Sequence, residues 1–370
     1  MNASLFPRQG PGYSDPLVTD GEIAATNLES ARRRAWARFA QDACSPGVAE
    51  SIVDMERLRL QFLGHLDALD DLDRLAACFA RVEHSFRSAL VDAEVASAGH
   101  RFADARHHLS RAAEMGASSD DVESKLLTIN QACGVRLDDV ADARHRIAAA
   151  SGRLEELVPL GAVLGDLERY DEADAVYQAA LRAYGGTSPF APAWVCFQLG
   201  MLWGELASDP DLNRAALWYE RAIAYLPAYV SASVHLAEIY SCWGRADRAE
   251  ELLLPALGSR DPEVPWRLSD VLTARGRPEA AATRLADARR GFEQLIAKHL
   301  LAFADHAAEF FAGSGDDQPR ALELARVNAA NRATRRAVKQ VQAIVVDLKG
   351  RDSDRSRVQG SVRHDLNSGR

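Results

Sequence analysis

Apolar residues return every three or four positions along most of the chain, as in "LESARRRAWARFA", "AESIVDMERLRLQFLGHL" and "RALELARVNAANRA". That spacing gathers them on one stripe of an α-helix, whose turn takes about 3.6 residues. No stretch reads convincingly as a strand with the two-residue alternation of a half-buried sheet. The pattern breaks at "GGTSP", "ASDPD", "GSRDP" and "GSGDDQP", where Gly, Pro, Ser and Asp favour reversal over continued helix. The pattern predicts an all-α protein with helices of about twelve to twenty residues joined by short loops.

A longer period runs over the helical one. Leu164 to Leu181, "DLNRAALWYERAIAYLP" and Tyr240 to Leu257 align with one another. A small residue recurs at Ala173, Ala215 and Ala249, and a bulky one follows four positions later at Tyr177, Tyr219 and Leu253. A second alanine sits three further on, at Ala180, Ala222 and Ala256. Upstream come the pairs Leu160-Gly161, Leu199-Gly200 and Leu236-Ala237, and Pro227 and Pro262 close two of the units. Small side chains let paired helices approach, and the bulky ones fill the space toward the next pair. A proline lacks the N–H that would continue a helix. One pair alone leaves an apolar face bare, and stacking covers it.

These residues resemble the tetratricopeptide repeat, with its period of about 34 residues and the form W-x2-L-G-x2-Y…A-x3-F…P. The match is good at Glu155–Gly185, Trp194–Pro227 and Val230–Pro262, and the second of these carries an insertion, "ASDPDLN". Glu263–Arg289 keeps Leu268 and Ala281, Gly291–Ala333 is looser, and Gly99–Ala117 looks like the second half of a repeat. The resemblance implies a right-handed α-solenoid of helix-turn-helix repeats. The expected organisation is a disordered lead-in over 1–20 and a helical region over 21–150, with degenerate repeats or a cap. A solenoid follows over 151–348, then a disordered tail over 349–370. Val338, Val341, Val345 and Leu348 lie three or four apart and predict a C-terminal capping helix.

Composition narrows the function. The chain has 370 residues, 47% hydrophobic and 26% charged, with a net charge of −9. Basic residues concentrate after Arg320, so the remainder is more acidic than the total suggests. An acidic body disfavours nucleic acid, whose binding draws on phosphate contacts to a basic face. No apolar run reaches the eighteen or so residues of a membrane span, and the start lacks a secretory pattern. The expectation is a cytoplasmic protein without membrane attachment. Five cysteines without a CxxC pair read as free thiols. Only four lysines stand among the 44 basic residues, the bias of a GC-rich bacterial genome.

No phosphate loop, dinucleotide fingerprint, HExxH or GxSxG occurs, so no cofactor and no catalytic residue is expected. His100, Asp104, His107 and His108, and separately His299 and His306, come nearest to a ligand set; they read as ordinary histidines. A metal-dependent enzyme is the remote alternative.

In proteins that look like this, first helices line a concave groove. That register implies groove positions at Trp194, Phe197, Met201 and Glu205, then Val234, His235 and Glu238, then Trp266 and Asp270. The basic clamp some such proteins use for a terminal carboxylate does not carry over. Its positions hold Val158, Ala162, Phe197, Met201, Val234 and Glu238. The expected function is a non-catalytic protein–protein interaction module taking a hydrophobic or basic segment. The alternative is a regulator whose solenoid changes shape around a peptide or small ligand. Oligomeric state stays open at this point.

Overall fold

The computed structural model describes residues 16–350. Of the predicted lead-in and tail, residues 1–15 and 351–370 therefore lie outside the described residues. Among those described the fold is all-α, with no strand. The helices begin with α1 (Gly21–Gln41), α2 (Val48–Leu63), α3 (Ala68–Phe79), α4 (Phe86–Ala98), α5 (Phe102–Glu114) and α6 (Ser119–Ala132). They continue with α7 (Leu137–Ser151), α8 (Leu154–Asp166), α9 (Tyr170–Ala183), α10 (Phe190–Met201), α11 (Leu212–Tyr225) and α12 (Val230–Cys242). The last are α13 (Ala246–Ala256), α14 (Glu263–Ala274), α15 (Pro278–Ala312), α16 (Gln318–Asn331) and α17 over 335–350. No helix is long and apolar enough to cross a membrane.

The helices group into two compact units. The first comprises residues up to Ala31 with Leu137–Ile239, and the second comprises Arg32–Arg136 with Tyr240 onward.

In the first unit, α8 pairs with α9 and α10 with α11, and the repeated glycines explain why. A Cβ placed on Gly161 would stand 2.7 Å from the Tyr177 ring, and one on Gly200 would stand 2.4 Å from the Tyr219 ring. Each tyrosine ring therefore packs directly on the glycine of its own pair. Tyr219 also stacks on His235 of α12, 5.5 Å away, and so fills space toward the next pair as the sequence predicts. Ala173, Ala180, Ala215 and Ala222 are fully buried along the same seams. A π-helical turn, Leu202–Leu206, closed by Ala207 N–H donating to the Leu202 carbonyl at 2.9 Å, ends this helix just before the inserted stretch, which forms the loop into α11. Asp211 then caps α11 by accepting from the Arg214 N–H.

The second unit departs from a linear stack. Its core joins Phe39, Ile52, Leu72, Leu75 and Phe79 to Trp266, Phe292, Phe310, Phe311 and Leu324. Polar contacts tie the same two parts of the chain together. Arg260 N–H donates to the Gly64 carbonyl at 3.1 Å, and Lys298 reaches Asp70 at 2.6 Å. The His100 ring meets the Leu301 carbonyl at 3.3 Å, and Asn331 donates to the His100 carbonyl at 2.9 Å. Residues 32–85, within the helical region expected to hold degenerate repeats or a cap, thus cover the last repeats rather than extending a row.

α15 is two helices that meet at His299, which leaves helical geometry at φ −130° and ψ 53° while its ring bonds Asp70 at 2.9 Å. Two local expectations need correction. The buried stripe of α17 runs through Ala337 and Ile344, with Val341 and Leu348 beside them, while Val338 is exposed. Small Ala337 admits the close approach that Val338 was expected to make. Pro262, expected to end the third pair, instead precedes α14 as its N-cap, and Pro255 sits in the last turn of α13.

Candidate partner-binding face

The expected groove residues fall into two groups. In the first unit, Trp194, Phe197 and Met201 succeed one another along α10, and each is half-buried. They share a face because steps of three and four residues return to one side of a helix. Phe197 sits in an aromatic nest, with ring centroids 5.6 Å from Tyr219, 5.1 Å from Tyr229 and 5.4 Å from His235. The His235 ring also stacks on Tyr219, 5.5 Å away and 19° from parallel. Val234 is only 1% exposed and packs inward.

The carboxylates of this face converge on one imidazole. Glu205 reaches His235 Nδ1 at 2.7 Å, and Glu238 stands 3.6 Å from the same nitrogen. Glu205 stands on the π-turn that precedes the insertion. His235 therefore orients both acids while its ring plane covers Tyr219.

In the second unit Trp266 is a core residue, 3% exposed. It packs edge-on against Phe310 at 5.4 Å and Phe292 at 6.1 Å, and its indole N–H donates to Ser314 Oγ at 2.9 Å. Ser314 in turn donates to Asp270 Oδ1 at 2.7 Å. Burial holds the Asp270 carboxyl above its ordinary value, against the Ser314 hydrogen bond that lowers it. Trp266, Ser314 and Asp270 thus bind α14 to the turn after α15.

The histidines occupy structural posts. His108 Nδ1 stands 3.9 Å from Asp92, and His306 bonds Glu263. Among the described residues no three His, Cys, Asp or Glu side chains gather to hold a metal ion.

Sequence reasoning missed a polar knot beside α10. Asp174, buried on α9, accepts from Trp203 Nε1 at 2.9 Å, Arg214 at 2.7 Å and Gln178 at 2.5 Å. The Arg214 guanidinium lies 3.9 Å above the Trp203 ring, a cation–π contact strengthened by its partial burial. The signal available was the insertion itself, which sits between Trp203 and Arg214.

Charge is segregated by unit. Residues 16–31 and 137–239 carry 18 carboxylates against 7 arginines and no lysine. The excess that defines the whole molecule therefore belongs to the first unit.

No family model and no curated protein matches the chain. Solved helical-repeat structures do. The chain is 19% identical to MamA over 43% of its own length and 90% of that protein, with a TM-score of 0.36. It is 12% identical to a tetratricopeptide repeat protein from Parabacteroides merdae, over 70% of this chain and 98% of that one, with a TM-score of 0.39. In a Cut9–Hcn1 assembly it is 14% identical over 83% of this chain and 58% of the matched one, with a TM-score of 0.44. The fold is tetratricopeptide-like. The glycine–tyrosine seams of α8/α9 and α10/α11 carry that statement in this chain's own residues.

Proposed function

We propose that this protein is a non-catalytic interaction module whose first unit takes a hydrophobic or basic segment of a partner protein. The observation that carries the reading is the row Trp194, Phe197 and Met201 on α10, partly open to water and bordered by Glu205 and Glu238. Aromatic and methionine side chains supply most of the apolar area at interfaces, and flanking carboxylates select a cationic partner. The acidity of the same unit favours fast encounter with a basic segment. Phe197 is anchored by Tyr219 and Tyr229, so the face is held ready before a partner arrives.

The test uses the full chain and an array of ten-residue peptides with apolar centres flanked by Lys/Arg, by Glu/Asp or by Ser. Trp194→Ala combined with Met201→Ala should weaken capture of the basic-flanked peptides by about tenfold or more, since central anchors contribute about 2 kcal/mol each. Helical circular dichroism should stay unchanged. Trp266 belongs to the core and is unsuitable for this test. Equal capture by parent and variant, or preference for acidic flanks, would remove the reading.

A further inference from the structure

The elements that form the α10 row bring acids and no strong base. Neither α10, nor the π-turn, nor α12 contains a lysine or an arginine. Glu205 and Glu238 keep 26% and 30% of their side-chain surface open, beside the half-buried Trp194, Phe197 and Met201. These two carboxylates outnumber the one imidazole they share. Such a face fits an apolar segment that brings a positive charge of its own.

A segment of that composition precedes α1. Leu5, Phe6 and Pro7 form an apolar run followed directly by Arg8, and Arg8 is the only charged side chain among residues 1–14. These residues lie before the described part of the chain, whose own start is tied to the α10/α11 pair. Thr19 N–H donates to the Thr187 carbonyl at 2.8 Å, three residues before α10 begins. Gly21, the first residue of α1, packs on the end of α11. A Cβ there would stand 2.5 Å from the Tyr225 carbonyl oxygen and 2.7 Å from Pro227. The lead-in is thus tethered at the end of the pair where the row starts with Trp194. Ten residues separate Phe6 from Pro16, and a chain of that length reaches at most about 35 Å. α10 has 12 residues and is therefore only about 18 Å long. The whole row is within reach.

We infer that the stretch Leu5 to Arg8 docks on the α10 row of its own chain. Leu5 and Phe6 cover Trp194, Phe197 and Met201, and Arg8 faces Glu205 and Glu238. The inference rests on the reading of that row as a docking face and names its first occupant. A tether this short holds the segment at an effective concentration on the order of millimolar. A partner segment has to displace it, so the lead-in sets the threshold for capture.

The first test replaces Phe6 in the full chain with the photo-crosslinker p-benzoyl-phenylalanine. Isotopically light and heavy chains are mixed, irradiated and mapped by mass spectrometry. Crosslinks should form within single chains and fall on residues 190–206 or 230–242. Crosslinks between chains would assign the segment to a second copy, and crosslinks elsewhere, or none, would leave the row unoccupied; each overturns the inference. The second test returns to the peptide array. Leu5→Ser with Phe6→Ser should raise capture of the basic-flanked peptides about tenfold, because the tethered competitor is gone. Arg8→Glu should raise it several-fold. Both variants lie outside every described helix, so helical circular dichroism should not change. Equal capture by parent and serine variant would overturn the inference and leave the row as a partner site. Crosslinks on α10 with no peptide captured by either chain would uphold the contact within the chain and remove the partner reading.

Discussion

At the scale of single residues, two positions hold more of the fold than their size suggests. Gly200 has no room for a methyl group, because the Tyr219 ring fills that volume. Gly200→Ala should cost about 1–3 kcal/mol, the usual penalty of overpacking a close-fitted core. Urea unfolding followed by circular dichroism would read it; a change within a few tenths would mean that the ring swings away freely. His100 is the second position. Burial pushes its imidazole down to about 4, reinforced by the Arg332 charge and opposed by Asp305. The fold therefore holds the neutral ring. Its contribution to stability is present above the ordinary value of 6.5 and is lost as pH falls from there toward 4. The full window corresponds to at most about 3 kcal/mol. His306 works in the opposite sense: Asp305 and Glu263 hold its pKa up, so its contribution is lost only on the alkaline side. His100→Asn tolerates the positive φ of 55° better than most residues and cannot titrate there. Its unfolding midpoint in urea should vary less between pH 4.5 and 6.5 than that of the parent. A parallel pH profile would assign the acid sensitivity to other groups.

At the scale of elements, the informative features are where the repeat is interrupted. The insertion in the second repeat follows a π-turn, and such turns concentrate at functional places in helices. Here the turn carries Glu205 to His235 and sets Trp203 against Asp174. One irregular turn thus serves both the α10 row and the polar knot around Asp174. The kink in α15 has a different cause. His299 leaves helical geometry while its ring reaches Asp70 and Lys298 bonds the same carboxylate. With no glycine or proline at that point, the sequence gives no signal for the bend. The repeat halves were legible because glycine, alanine and tyrosine recur at fixed distances. The kink was not, because its reason lies in α3, more than two hundred residues away.

At the scale of the molecule, the second unit differs from a row of independent repeats. In a linear solenoid each repeat touches its neighbours, and stability is graded along the chain. Here α2 and α3 share a core with α14, α15 and α16, and Arg260, Lys298 and His299 clasp residues 64–70. Amide exchange should therefore find α2, α3, α15 and α16 opening together with similar free energies, as one cooperative block. Stepwise opening, with α2 and α3 exchanging well before α15, would contradict that coupling. The charge distribution acts at the same scale. The first unit's surplus of carboxylates is a property of whole segments, and basic-peptide binding there should weaken as salt screens it.

The sequence by itself determined the helices, the pairing of α8 with α9 and α10 with α11, and the α10 row. Those features depend on local periodicity and on small residues meeting large ones within about 34 positions. Tertiary structure decided the rest. Trp266 has the same sequence-level credentials as Trp194, yet its ring is enclosed by Phe292 and Phe310. Residues 32–85 carry apolar stripes that any neighbour could cover, and only the folded chain selects the last repeats. The knot of Asp174, Trp203 and Arg214 needed residues of successive repeats to meet. Burial and convergence are relations between distant segments, and a helical pattern records only which face must be covered, not by what.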